Sequence, residues 1–298
     1  MGPGSPDRIR LKAKPCSHFL FFSATIMAMC QLLGMNCNIP TDICFSFTGF
    51  QLRGGGTDDH KDGWGIAFFE GKGVRQFLDV QPSIHSPVAE LVRTYPIHST
   101  NVIAHIRKAT QGKVSLENTH PFMRELWGSY WIFAHNGNVP DFQPELEGSF
   151  LPVGSTDSER AFCWIMQEFR KRHGLSRPET SVLFTTLTEL TKEIGRYGEF
   201  NFLLSNGDLL FAHCSMKLSY ILRQSPFPTA HLRDKDVTVD FSDLATPKDR
   251  VAIIATSPLT DNETWEALEP GTLWLFQDGM PQSHRKTIPG KKVTKTNL

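Results

Sequence analysis

The sequence predicts an α+β protein with helices packed on antiparallel sheets, and three observations carry that prediction. Apolar strands recur in hairpin pairs: Gly65–Phe69 with Val74–Val80 around Gly71–Gly73, and Phe200–Ser205 with Asp208–His213 around Asn206-Gly207. Two longer stretches place apolar residues at helical intervals. The chain has 298 residues and no internal repeat, so it is long enough to bury a large core. Hairpins join antiparallel neighbours, whereas parallel strands need crossovers, so a doubly wound Rossmann order is disfavoured.

The elements follow in order. Ser86-Pro87 supplies an N-cap and a proline at the first helical position, which starts a helix through about Thr94. Val102–Arg107 and Tyr130–His135 are two further apolar strands. Thr156-Asp157-Ser158-Glu159 has capping-box spacing, and Phe162, Ile165, Met166 and Phe169 follow on one helical face. Ser181–Ile194 repeats the pattern with Leu183, Leu187, Leu190 and Ile194, and Gly195 ends it. Val251–Thr256 and Thr272–Gln277 close the strands, and the rest of the chain after Ser205 is expected to add strands and helices to the same domain.

Composition narrows the function. Lysine plus arginine number 31 and so do aspartate plus glutamate, so nothing suggests a nucleic-acid partner or an anionic membrane. The six cysteines form no C-x-x-C pair, and a disulfide scaffold is not expected in a chain this long. A cytoplasmic location is the simplest reading. His60, His85, His98, His105, His120 and His135 show no metal-ligand spacing, so neither a metal nor a cofactor is expected.

The first residues need separate treatment. Arg8, Arg10, Lys12 and Lys14 precede the apolar run Phe19–Met29, as the n- and h-regions of a secretory signal would. The run is too short to span a membrane, and Met29 rather than a small residue precedes Cys30. The preferred reading takes Met29 as the working start.

That choice bears on chemistry. Removal of methionine from Met29-Cys30 leaves a cysteine with a free α-amine. The thiolate is the nucleophile, and an α-amine with a pKa near 8 can take its proton. Taken alone, Cys30 reads as a buried, inert cysteine. Arg107 ends a strand with Thr110 three residues on, and a guanidinium fork can hold both oxygens of a carboxylate. Asn136-Gly137 ends another strand; it is either an ordinary turn or an amide plus N–H pair for an oxyanion. Asp157 opens a helix, where it either caps or binds an ammonium. Arg53-Gly54-Gly55-Gly56 lacks the Lys-Ser/Thr of a phosphate loop and suits a mobile loop over a pocket. A Cys30–His120 dyad stays open, since such partners need only be close in space.

The motifs together resemble the class II glutamine amidotransferases: Met29-Cys30, Ala104-His105-Ile106-Arg107-Lys108-Ala109-Thr110, Glu117–Phe122, Ala134-His135-Asn136-Gly137 and Gly154–Glu159, in that order. Pro40–Phe47, Arg53–Gly56, His60–Gly65 and Ala255–Trp265 resemble the stand-alone YafJ-type branch, and the resemblance spans roughly Met29 to Gly279. It implies a four-layer α/β/β/α N-terminal-nucleophile fold over residues 30–283, preceded by an extension over 1–29 and followed by a basic tail over 284–298. It also implies that Cys30 attacks the γ-carboxamide of glutamine or of a γ-glutamyl compound, while Asn136 and Gly137 stabilise the oxyanion. Arg107 and Thr110 would hold the substrate α-carboxylate and Asp157 its ammonium. A synthase subunit accepting ammonia is the partner this implies beyond the small-molecule substrate.

The sequence departs from the pattern in two places. Many members carry Trp after the matched arginine and His after the matched threonine, where this chain has Lys108 and Gln111. Those positions shape the pocket, so selection for free glutamine does not carry over, and a γ-glutamyl thiol peptide is an alternative substrate. The second departure is the extension, which makes the Cys30 nitrogen an amide. An unprocessed chain would instead be a non-catalytic glutamine-binding module, and a lipid on Cys30 would make a surface anchor.

Overall fold

The computed structural model describes residues 30–109, 113–243 and 245–288. Met1–Met29, Thr110, Gln111 and Lys291–Lys295 lie outside them. The elements run β1 (Gln31–Thr41), α1 (Cys44–Leu52), β2 (Trp64–Glu70), β3 (Gly73–Asp79), α2 (Pro87–Thr94), β4 (Ser99–Ile106), β5 (Phe122–Leu126) and β6 (Ser129–Asn136). They continue with α3 (Asp157–His173), α4 (Thr180–Ile194), β7 (Asn201–Ser205), β8 (Leu209–Cys214), β9 (Ser219–Gln224), β10 (Thr229–His231), β11 (Thr238–Asp240), β12 (Arg250–Ala255), β13 (Glu266–Ala267), β14 (Thr272–Gln277) and β15 (Met280–Lys286).

The strands pair antiparallel into a seven-stranded sheet, β13-β9-β12-β1-β4-β2-β3, a six-stranded sheet, β15-β14-β8-β7-β6-β5, and the separate pair β10-β11. Side chains alternate across a strand, so each sheet feeds two cores. Leu33, Ile66 and Ala104 pack under Phe47 and Phe50 of α1 and Ala89 and Val92 of α2. Their strand neighbours Leu32, Ala67 and Ile103 meet Ala134, Leu203 and Ala212 of the second sheet. The other face of that sheet, with Phe133, Phe202 and Phe211, packs against Phe162 and Phe169 of α3 and Leu187 of α4. The result is four layers: helices, seven strands, six strands, helices.

Local chemistry explains the helix ends. Ser86 Oγ accepts the Ala89 N–H at 3.3 Å, the cap its sequence promised. Thr156 Oγ1 likewise accepts the Glu159 N–H at 3.2 Å. The capping box is only half formed, because the Glu159 carboxylate turns to the N–H groups of Val153 and Gly154 and to Arg124 at 2.6 Å. Gly195 ends α4 with an ordinary right-handed backbone.

Three expectations need correction. After Ser205 the described residues add strands and no α-helix. The domain does not stop at residue 283, because β15 pairs with β14 through Lys286. The Arg53–Gly56 segment is tied down: buried Arg53 donates to Asp234, to the carbonyls of Ser257 and Pro258, and to Gln31. A Cβ on Gly54 would lie 1.9 Å from Ser83 Oγ, so the close approach itself requires glycine. Among the described residues no helix is long and apolar enough to cross a membrane.

Candidate active site

Two interior strands on different sheets build the site. Cys30 immediately precedes β1, whose register pairs Gln31 with Ile106 and so sets Cys30 beside the end of β4. Asn136 is the last residue of β6 in the facing sheet. Its Nδ2 donates to the Cys30 carbonyl at 2.5 Å. Cys30, Arg107, Gly137 and Asp157 line one pocket together with Lys108, Asn138, His105, His120 and His135. Four of the sequence-predicted positions are thus brought together with Asn136 beside them, while Thr110 lies outside the described residues.

The sulfur has a defined setting. Cys30 Sγ accepts the Lys108 N–H at 3.1 Å and faces the Lys108 carbonyl at 3.3 Å. Burial pushes the thiol above the ordinary cysteine range, and the Lys108 backbone contact and the Arg107 guanidinium offset it only in part. A thiol held neutral near pH 7 requires a base to become a nucleophile. His120 is not that base through a direct dyad. Its two ring nitrogens make no hydrogen bond among the described residues, and burial holds the imidazole well below its usual pKa.

The remaining side chains are held by a polar network. His135 Nε2 faces the Glu199 carbonyl at 3.0 Å and therefore carries the proton. Its Nδ1 then accepts from Ser158 Oγ at 2.8 Å. Asp157 accepts the Val139 N–H and the Ser158 N–H, each at 2.7 Å, which fixes its carboxylate at the start of α3. Gly137 sits at φ +147, and a Cβ there would lie 2.1 Å from the Glu199 carbonyl oxygen. Only glycine fits this turn, and its N–H follows directly on the Asn136 amide. Arg107 is 4 % exposed, and its Nη1 donates to the Lys113 carbonyl at 3.2 Å. Asp62 anchors the neighbouring turn by accepting the Ala109 N–H at 2.7 Å.

Sequence reasoning missed the contact that Lys108 makes with the Cys30 sulfur, since it uses backbone atoms that any residue carries. It also missed the Arg53–Asp234 pair, 2.9 Å long and joining positions far apart in sequence. His105 lines the pocket beside His120, the histidine considered as a partner for Cys30, with the ring centroids 4.4 Å apart. Chemically, the arrangement offers a cysteine thiol, a side-chain amide donor at that cysteine's carbonyl, a guanidinium and a carboxylate.

Residues 29–297 match the family model of the class II glutamine amidotransferases. The chain is 53% identical over 248 residues to the Escherichia coli (strain K12) protein named "Putative glutamine amidotransferase YafJ", covering 83% of this chain and 97% of that one. It is similar to the crystal structure of the "predicted glutamine amidotransferase" from Pseudomonas aeruginosa PA01, with a TM-score of 0.69 and 47% identity over 85% of this chain and 99% of that one. It is also 27% identical over 157 residues to a Mycobacterium tuberculosis protein named gamma-glutamyl-hercynylcysteine sulfoxide hydrolase, covering 51% of this chain and 58% of that one.

Proposed function

The chain belongs to the class II glutamine amidotransferases, enzymes of the N-terminal-nucleophile fold, and from that premise we propose that it hydrolyses the γ-carboxamide of glutamine or of a γ-glutamyl amide through a thioester on Cys30. The observation that carries the reading is the setting of Cys30, its sulfur against the Lys108 N–H and its carbonyl against the Asn136 amide.

The steps follow from the residues. With Met1–Met29 absent, the α-amine of Cys30 takes the thiol proton. The sulfur attacks the γ-carbon, and the Asn136 amide and Gly137 N–H stabilise the oxyanion. The proton passes to the leaving nitrogen, the C–N bond breaks, and ammonia or an amine departs. Water then attacks the thioester, the C–S bond breaks, and glutamate is released with the thiol restored. Arg107, with Thr110, holds the substrate α-carboxylate, and Asp157 its ammonium.

Where the released ammonia is passed on, a separate synthase subunit would accept it. A cytoplasmic setting suits the five free cysteines among the described residues. A second reading, hydrolysis of a γ-glutamyl thiol peptide, is supported by the similarity to the hercynylcysteine sulfoxide hydrolase. The test compares the chain beginning at Cys30 with the chain beginning at Met1, and with Cys30→Ala. Glutamate release from glutamine and a panel of γ-glutamyl amides is expected for the first alone. A free, reactive Cys30 that releases glutamate from none of them would sink the proposal and favour a glutamine-binding module.

A further inference from the structure

The hairpin of β10 and β11 stands outside the two large sheets, yet its turn is docked against the core. The turn closes with the Leu232 N–H donating to the Val237 carbonyl at 2.9 Å, and it carries Asp234. The Asp234 side chain is 10 % exposed and meets Arg53, whose side chain is 4 % exposed. Asp234 Oδ2 accepts from Arg53 Nε at 3.1 Å and Nη2 at 2.9 Å, and Oδ1 accepts from the Thr57 hydroxyl at 2.8 Å. One carboxylate thus grips both ends of residues 53–57.

That grip reaches the residue beside Cys30. A guanidinium has five N–H donors. The three that Asp234 leaves go to the carbonyls of Ser257 at 2.8 Å and Pro258 at 2.6 Å, and to Gln31 Oε1 at 3.4 Å. Gln31 is buried and directly follows Cys30, and its Nε2 donates to Asp58, the residue after Thr57, at 3.2 Å. Both halves of the Gln31 amide therefore rest on the segment that Asp234 holds. The far end of the same loop is pinned separately. The Asp62 N–H donates to the Arg107 carbonyl at 3.3 Å, and the Arg107 N–H to the Gly63 carbonyl at 2.8 Å. Weakening Asp234 leaves a buried guanidinium short of its counter-charge, so the Gln31 side loosens while the Arg107 side stays in place.

We propose that Asp234 is a positioning residue: clamped on Arg53 and Thr57, it fixes Gln31 and, through Gln31, the placement of Cys30 for attack. Its effect on turnover rests on the hydrolase reading; its effect on the Cys30 thiol does not.

Two variants test the clamp. Asp234→Asn keeps the shape and removes the charge. Thr57→Val removes one hold at an exposed position and leaves no charge unpaired, so its fold is secure. In the full chain, iodoacetamide labelling of Cys30 is followed by mass spectrometry of its peptide and needs no substrate. Both variants are expected to label severalfold faster than the parent, as the sulfur leaves its seat on the Lys108 N–H. In the chain beginning at Cys30, kcat for glutamate release from glutamine should fall about tenfold in Asp234→Asn, and less in Thr57→Val, because small misplacements of a reacting atom are costly. KM should hold, since Arg107 and Asp157 keep their own contacts. Labelling at the parental rate in both variants would overturn the clamp, whatever their melting temperatures. So would an unchanged kcat, or a rise in KM alone, in an active parent. A parent that releases no glutamate would count against the hydrolase reading only, and the labelling would still decide the clamp.

Discussion

Acid should destabilise this protein well before its carboxylates titrate, because its core holds neutral histidines. His105 and His213 are 1 % and 3 % exposed. Burial pushes His105 down to about 3, helped by the Arg107 charge, and His213 down to about 4 against the pull of the Phe200 carbonyl. In the unfolded chain a histidine titrates near 6.5. Between these values the unfolded state binds a proton that the folded state refuses, so stability is full above the unfolded pKa and is lost as pH falls. At pH 5 each histidine removes about 2 kcal/mol, and the pair about 4 kcal/mol, relative to pH 7. His120 and His135 shift in the same direction and add to the loss. His231 works the other way, raised by Asp261 and Asp236, but it faces solvent and its effect is screened. The loss compares with a total stability of about 5–15 kcal/mol for a folded domain. Denaturant titrations at pH 7, 6 and 5 measure it, and His213→Gln should remove about 2 kcal/mol of the pH-dependent part. A stability that changes by less than about 1 kcal/mol over this range would refute the reasoning, since the imidazoles would then be hydrated or protonated in the fold.

Two other outcomes follow from the site. Asn136→Ala should lower the turnover number by roughly a hundredfold or more, the usual effect of losing one oxyanion donor, and unchanged turnover would remove that role. Arg107→Lys should raise KM far more than it lowers kcat, because the two-pronged hold on a carboxylate is lost, and steady-state kinetics with glutamine separates the two.

Much of the fold was legible where local chemistry dictates it. Thr272–Gln277 is a strand with the expected bounds, and α2 begins at the Ser86-Pro87 signal. The central strand was not legible, because Gln31–Cys37 is buried on both faces and shows no alternation. Nor was α1, where Ser46, Phe47, Gly49, Phe50 and Gln51 are all buried and leave no polar face to mark a helical period. The site followed the same division. Cys30, Arg107, Asn136, Gly137 and Asp157 are set by residue type and could be found by their order. The Glu159 contact with Arg124 and the Arg53 contact with Asp234 depend on how distant segments meet, which no local pattern encodes. Cys30 itself read as packing until its companions were considered.

The division of the site between two sheets has a consequence for how the chain tolerates change. Cys30 immediately precedes β1 and Asn136 ends β6, so the spacing of the thiol and the side-chain amide depends on how the two sheets pack. Small residues fill part of the space between the sheets: Gly34, Ala67, Ala134, Ala212 and Ala252. A methyl group on Gly34 would already meet Leu203 at 3.0 Å and Leu210 at 3.3 Å. These residues stand outside the pocket lining, yet they hold Cys30 and Asn136 at their spacing as a shim sets the clearance of a valve. Interior positions remote from the chemistry should therefore vary in concert across the two layers rather than one at a time.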